Sequence, residues 1–449
     1  MTYSTASADI IQRTEALCPV CKRRLPAAYQ EREHGIYLER HCPEHGEFAV
    51  LVWRKYYDFA RWIEGAPPLQ AGENPACPNG CGLCDEHKQA TCCVLLPITA
   101  RCNLCCRYCF ADPNQAADPP FEQVTAWLRE LTVPRQTLVQ LSGGEPTLRD
   151  DLCAIVAAAK GAGCAYVQLN SNGIRLAEDE ALVESLAKAG LSFVFLQFDG
   201  TDERVYETLR GRPLLELKRR AIANCARYFI GVTLVPTIVP GVNTDQVGDI
   251  IQFALEHSPA VRGVHFQPLS YFGRSPLLPA VAPRYTLDEL LHDIVGQSNG
   301  LLHEEDFSPS RCDHPLCGLH GDFMTLPGNG LKALHRRDQT NPACCCGPQA
   351  AAKNRAFVGR RWQRSPEQEV CCPEASVTPD LTDMAQFTAR VASHGFTITA
   401  MAFQDAATLD IARLRQCSLH VFEKGKHIPF CAYYLYTASR SNLSLLVKQ

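Results

Sequence analysis

Four cysteines fall within eight residues in the stretch TARCNLCCRYCFADP: Cys102, Cys105, Cys106 and Cys109. Thiolates are soft metal ligands, so their spacing decides what they could do. Paired as two abutting CxxC units, they would close a four-thiolate site that ties the chain together. Read as Cys102, Cys106 and Cys109, they give CxxxCxxC, three ligands with one metal corner left for a reacting molecule. The chain holds 24 cysteines in 449 residues, most of them grouped at 18/21/42, 77/81/84, 92/93, 312/317, 344–346, 371/372 and 417/431. No charged segment followed by an apolar run marks the N-terminus, so no export signal is expected and the thiols should stay reduced in the cytoplasm. Grouped thiols in a reducing compartment mean metal, at more than one site.

Two further ligand patterns lie near the N-terminus. CPVC and CPEH supply Cys18, Cys21, Cys42 and His45, two ligand pairs joined through a short hairpin-like stretch. That is the pattern of a zinc-ribbon or rubredoxin-like site holding one zinc or iron ion. Cys18, Cys21 and Cys42 are its firm ligands; the fourth is His45 or a cysteine from the 77–93 segment. Cys77, Cys81 and Cys84 then repeat the open-triplet spacing, with Cys92 or Cys93 available to close an iron–sulfur cluster or a second zinc site.

The elements that must position these groups follow from periodicity. Between about 94 and 275, β-rich runs at 94–99, 137–142, 165–170, 193–198, 231–238 and 263–270 alternate with amphipathic helical patterns at 121–132, 151–163, 179–190, 214–228 and 247–258. Six alternating strands and helices predict a parallel α/β sheet with right-handed crossovers, open or closed. Chemistry in such sheets sits at the carboxyl ends of the strands. The first strand ends at the cysteine loop. The second ends in LSGGEP, with Gly143 and Gly144 for close backbone approach and Glu145 as an acceptor for a cationic group. The third ends in NSNG, with Asn170, Ser171 and Asn172. Three successive strand ends thus face one centre.

CxxxCxxC with Tyr108 before its last cysteine, after the first strand, and GGEP after the second resemble the radical SAM superfamily. The resemblance implies a partial (β/α)6 barrel, with Cys102, Cys106 and Cys109 on a 4Fe–4S cluster whose fourth iron chelates S-adenosylmethionine (SAM). Gly143, Gly144 and Glu145 would hold the methionine end, Tyr108 would lie near the adenine, and Asn170, Ser171 and Asn172 would complete the cofactor rim. Reductive cleavage would give a 5′-deoxyadenosyl radical that abstracts hydrogen from substrate. In order along nearly the whole chain, CPVC…CPEHGEF, CPNGCGLCDEHKQATC, ITARCNLCCRYCFA, LSGGEPTLRDDL, LQFDGTDERVYETLRG and IPFCAYYL are similar to the archaeal radical SAM family first described as pterin methylases, which includes the tetraether lipid synthases. That likeness implies a rubredoxin-like iron and auxiliary 4Fe–4S clusters: Cys77, Cys81 and Cys84 in one, and Cys312, Cys317, Cys417 and Cys431 in another.

The expected organisation is a metal-binding module over 1–91, the barrel over 92–300, and an auxiliary-cluster and substrate domain over 301–449. The leading function is functionalisation of an unactivated carbon of a lipid- or pterin-like substrate by C–C bond formation or methylation, with electrons from a flavodoxin- or ferredoxin-type donor. Transfer of a methyl or 3-amino-3-carboxypropyl group from SAM is a second enzymatic reading, and a non-catalytic multi-zinc interaction protein a third. A net charge of −4 argues against a nucleic-acid partner, and no apolar run reaches the roughly 18 residues of a membrane span. A cytoplasmic enzyme is expected, peripheral to a membrane if its substrate is a lipid.

Overall fold

The computed structural model describes residues 10–64, 77–79, 82–111, 117–310, 312–337, 349–364 and 383–437. At the N-terminus, β1 (Ile10–Leu17), β2 (Arg24–Arg32), β3 (Gly35–Cys42) and β4 (Gly46–Trp53) form an antiparallel meander in sequential order. Two of its turns carry the ligand pairs: Lys22 follows Cys21 at φ 58° and Gly46 follows His45 at φ 79°. Asp410 anchors this sheet to the rest of the chain. It accepts from Thr14 Oγ1 at 2.8 Å and from the buried Tyr29 hydroxyl at 2.6 Å.

The six strands expected between 94 and 270 are present and parallel: β5 (Cys93–Thr99), β6 (Leu138–Gly143), β7 (Tyr166–Ser171), β8 (Phe193–Gln197), β9 (Gly231–Val235), with a short β10 (Thr237–Ile238) and β11 (Val261–Pro268). The expected helices run Phe121–Leu131, Leu152–Gly161, Glu180–Lys188, Leu215–Arg227 and Val247–Glu256, each boundary within two residues of the periodic pattern. Sequence reading passed over two helices in this stretch, Ile174–Glu178 and Glu203–Arg210, the second capped by the Asp202 side chain and ended by Gly211 at φ 80°.

The chain after residue 300 supplies β12 (Ser308–Pro309), β13 (Gly318–Leu326), β14 (Gly330–Ala333), β15 (Gly395–Met401), β16 (Leu419–Glu423) and β17 (Lys426–Pro429). It does not form a sheet of its own. β16 pairs parallel with β5 on one edge of the barrel sheet, and β15 pairs parallel with β11 on the other. A partial barrel leaves two edges of unpaired backbone groups, and these strands cover both. Among the described residues, no helix is long and apolar enough to cross a membrane.

Burial holds His265, His314 and His394 neutral, with pKa values pulled down to about 4, 3 and 4. The unfolded chain binds these protons first, near pH 6.5. Stability is therefore fully present above pH 6.5 and falls as pH drops toward 4. Urea unfolding of the cofactor-free protein should give a midpoint that declines across this window. A midpoint flat from pH 7 to 4.5 would contradict the assignment.

Candidate active site and metal centres

The loop leaving β5 lies directly on the loop leaving β6. The Gly144 N–H donates to Thr99 O and the Glu145 N–H to Arg101 O, both at 2.8 Å. Side chains at Gly143 and Gly144 would put Cβ atoms 2.1 Å from Thr99 O and 2.0 Å from Arg101 O. The sequence assigned these glycines to close approach by a ligand; in the fold they admit the backbone of the cysteine loop. Glu145 is 1% exposed, and its carboxylate takes four hydrogen bonds. Thr147 N (3.1 Å), Thr147 Oγ1 (2.7 Å) and Ser171 Oγ (2.9 Å) donate to Oε1, and Asn172 N (2.7 Å) donates to Oε2. Asn172 Nδ2 reaches on to Asn103 Oδ1 at 2.7 Å, within the cysteine loop. Glu145 therefore ties three strand ends together before any ligand arrives. Glu145→Ala should destabilise the cofactor-free protein by about 2–4 kcal/mol in denaturant melts, since it strands several buried donors. Wild-type stability in that variant would mean the carboxylate serves only a ligand.

Cys102, Cys106 and Cys109 all line one cavity, with Tyr108 and the Gly143–Glu145 turn. Cys105 is exposed, and its sulfur accepts from Arg274 at 3.2 Å. The backbones of Cys109 and Arg274 exchange two hydrogen bonds, at 3.1 and 3.0 Å, which pins the loop to the segment after β11. Burial, with Glu145, Cys106 and Cys109 nearby, pushes the Cys102 thiol up to about 11. Thiolates there need a cation beside them, and three soft donors facing one space suit an iron–sulfur cluster with an open corner. Behind the loop, Arg210 and Asp199 form a buried two-point ion pair, both contacts at 2.7 Å. Buried Lys218 donates to Asn172 O at 2.5 Å and Gln197 Oε1 at 3.1 Å, and burial lowers its pKa to about 7.

The cavity measures about 350 Å³ and extends from the cysteine loop to Cys92 and Cys93, at the opposite end of β5. Its walls carry Gln140, Gln168, Asn170, Gln197, His265 and Gln267, flanked by Phe195 and Trp362. Apart from Asn170, sequence reading passed over these side chains. Their signal is a single glutamine among apolar neighbours in each of four strands: VQL twice, FLQ and FQP. A polar residue at a core position of a parallel strand is the pattern to look for.

Cys18, Cys21, Cys42 and His45 converge, with every pair of ligand atoms within 4.8 Å. Cys21 and Cys42 sulfurs stand 3.9 Å apart and His45 Nδ1 lies 3.4 Å from Cys42. A tetrahedral ion with metal–sulfur bonds of about 2.3 Å requires sulfurs about 3.8 Å apart. Among the described residues, it is His45 that completes this group.

Cys317, Cys417 and Cys431 surround a second, small cavity with Gln404 and Arg413. The Gln404 N–H donates to Cys431 Sγ at 3.2 Å and Arg413 to Cys317 Sγ at 3.5 Å. Cys312 is not with them. It hydrogen-bonds Cys92, and its sulfur lies 3.2 Å from both Asn354 Nδ2 and Ser418 Oγ. Cys77 is buried in the apolar cluster that also contains Cys431, and Cys84 is half-buried. Cys81, Cys344, Cys345, Cys346, Cys371 and Cys372 lie outside the described residues.

With this geometry the family matches fall into place. Residues 96–254 match the Radical SAM superfamily and residues 10–54 the HMPTM N-terminal zinc ribbon domain, so the chain carries a radical SAM barrel behind a zinc ribbon. Over 319 residues it is 38% identical to the 7,8-dihydro-6-hydroxymethylpterin dimethyltransferase of Methanocaldococcus jannaschii, covering 69% of this chain and 63% of that protein. A probable GTP 3′,8-cyclase of Pyrococcus abyssi is 30% identical over 167 residues, covering 35% of this chain and 51% of that one. The chain thus spans between about half and two thirds of the length of these curated relatives. Among solved structures, Streptococcus suis SuiB bound to its precursor peptide SuiA overlaps 47% of each chain, at TM-score 0.39 and 16% identity.

Proposed function

We propose that the protein is a radical SAM enzyme that functionalises an unactivated carbon of a small, flat nitrogen heterocycle held inside the barrel. The observation that carries this reading is the single cavity that joins the three-thiol loop and the GGE turn to an amide-lined interior. Cys102, Cys106 and Cys109 would hold a 4Fe–4S cluster, which supplies the electron that breaks a sulfonium bond of SAM and yields a 5′-deoxyadenosyl radical. Exposed Cys105 stays outside the ligand set. The turn at Gly143, Gly144 and Glu145 receives the methionine end of SAM, and Tyr108, Asn170, Ser171 and Asn172 bound the nucleoside side. A flavodoxin- or ferredoxin-type protein delivers the electron.

The wall chemistry decides between lipid and heterocycle. An alkyl chain packed against the polar atoms of this wall would leave the buried Gln168 Oε1 without a donor, at about 1–3 kcal/mol. A ring with its own donors and acceptors meets them. The names of the two relatives concern a pterin and GTP, and both molecules carry a 2-aminopyrimidinone edge. Attachment of a one-carbon unit to a pterin-like ring is the reaction this combination supports best.

Cys18, Cys21, Cys42 and His45 would hold one structural ion, and the histidine favours zinc over a rubredoxin-type iron. Cys317, Cys417 and Cys431 would contribute to one auxiliary cluster, and Cys77 and Cys84 to another. The division at about 91 and 300 then separates metal module, barrel and auxiliary-cluster region, the last lending strands to the barrel edges. Anaerobically reconstituted protein with SAM and a low-potential reductant should form 5′-deoxyadenosine. Cys106→Ala should lower this by more than the roughly 100-fold that even an outer-shell ligand partner can cost, and Cys105→Ala should retain it. Methylthioadenosine in its place, or full activity in Cys106→Ala, would overturn the reading.

A further inference from the structure

The geometry points to Gln168 Oε1 and His265 Nε2 as paired acceptors that select a substrate ring presenting N–H donors. This inference rests on the reading of the barrel interior as the substrate cavity. Gln168 is 0% exposed, lines that cavity, and its Oε1 has no hydrogen-bond partner among the described residues. The surrounding amides explain why. Gln168 Nε2 donates to Asn170 Oδ1 at 2.7 Å, and Asn170 Nδ2 lies 3.4 Å from both Gln140 Oε1 and Ser142 Oγ. Gln140 in turn hydrogen-bonds the Cys93 thiol. Every amide in this relay points its donors away from Gln168 Oε1, so the head of the chain is left as an unmet acceptor. A buried oxygen in that state costs stability unless something brings it a donor.

His265 presents the second acceptor. Thr399 Oγ1 lies 2.8 Å from His265 Nδ1 and 3.5 Å from Val264 O; with its hydroxyl proton directed to Val264 O, it accepts from His265 Nδ1. With its proton on Nδ1, the neutral ring offers a lone pair at Nε2. Burial keeps the ring neutral at physiological pH, with a pKa near 4. Phe195 lies beside His265 with ring centroids 5.5 Å apart, and Trp362 lies 4.9 Å from Phe195, an aromatic wall for a flat ring to stack on. The cavity lining thus combines an aromatic face with the two acceptors. The 2-aminopyrimidinone edge, with a ring N–H and an exocyclic amine, is the complementary donor set.

The test uses full-length, cluster-loaded protein under anaerobic conditions with SAM present, and calorimetric titration of four probes. These are 6-hydroxymethyl-7,8-dihydropterin, guanosine, and the analogue of each with a dimethylated exocyclic amine. The wild type should bind at least one parent ring, and bind its dimethyl analogue roughly tenfold to hundredfold more weakly. Gln168→Leu should weaken the parent by a similar factor and bring parent and analogue to equal affinity. A thermal melt first establishes that the variant folds; if it does not, His265→Phe, which keeps the ring shape and removes the acceptor, carries the same comparison. Equal binding of parent and analogue by the wild type, or an unchanged parent Kd in the variant, overturns the inference. Guanosine binding without pterin binding leaves the acceptor pair standing and removes the pterin reading. No binding of any probe removes both.

Discussion

The buried carboxylate of Glu145 is the constraint on which the site depends. One oxygen collects Thr147 and Ser171, and the other takes the Asn172 amide, so the ends of β6 and β7 share one anion. The same turn donates two backbone N–H groups to Thr99 and Arg101, at the root of the cysteine loop. A charge this deep is tolerated because its lone pairs are met by donors. The outcome is a preorganised rim: three thiols, a turn of backbone N–H groups and a small-polar loop are held in register by hydrogen bonds internal to the chain.

Below that rim most of the cavity wall is uncharged, and the buried cations near it are hydrogen-bonded. Arg210 is matched by Asp199, and Lys218 is surrounded by carbonyl oxygens. Amides, a neutral histidine and aromatic rings line the interior. A low-dielectric chamber of this kind suits a reactive radical, because it strengthens hydrogen bonds to the substrate and keeps bulk water from the reacting carbon. The edge strands β15 and β16 serve the same end. They close the sides of a sheet that six strands leave open, and they bring Thr399, Met401 and Leu419 to the cavity wall.

Much of this was legible in the sequence, for reasons of periodicity. Strand and helix positions between 94 and 270 follow from two-residue and 3.6-residue hydrophobic repeats, which tertiary contacts did not override. The meeting of three thiols with the GGE turn at one cavity was legible because CxxxCxxC follows a strand and GGEP ends the next one. Other features were hidden because they depend on contacts distant in the chain. The grouping of His45 with Cys18, Cys21 and Cys42 required knowing that two turns of a meander meet. Cys312 pairs with Cys92, 220 positions away in numbering (312 minus 92), a contact no local spacing encodes. A further role of Gly143 and Gly144 was hidden as well: their missing side chains make room for the Thr99 and Arg101 carbonyls. The interior glutamines were visible as letters but lacked a sheet register to place them on one face.

The central claim is that three thiolates of one loop hold a cluster whose remaining corner faces the GGE turn. Electron paramagnetic resonance of the reduced, anaerobically reconstituted protein, recorded before and after addition of SAM, tests it most directly. The account predicts that the cluster spectrum changes when SAM is added, because the amino acid end of SAM reaches the open corner. An unchanged spectrum under conditions where SAM is bound would contradict it, and would make the cysteine loop a closed structural site.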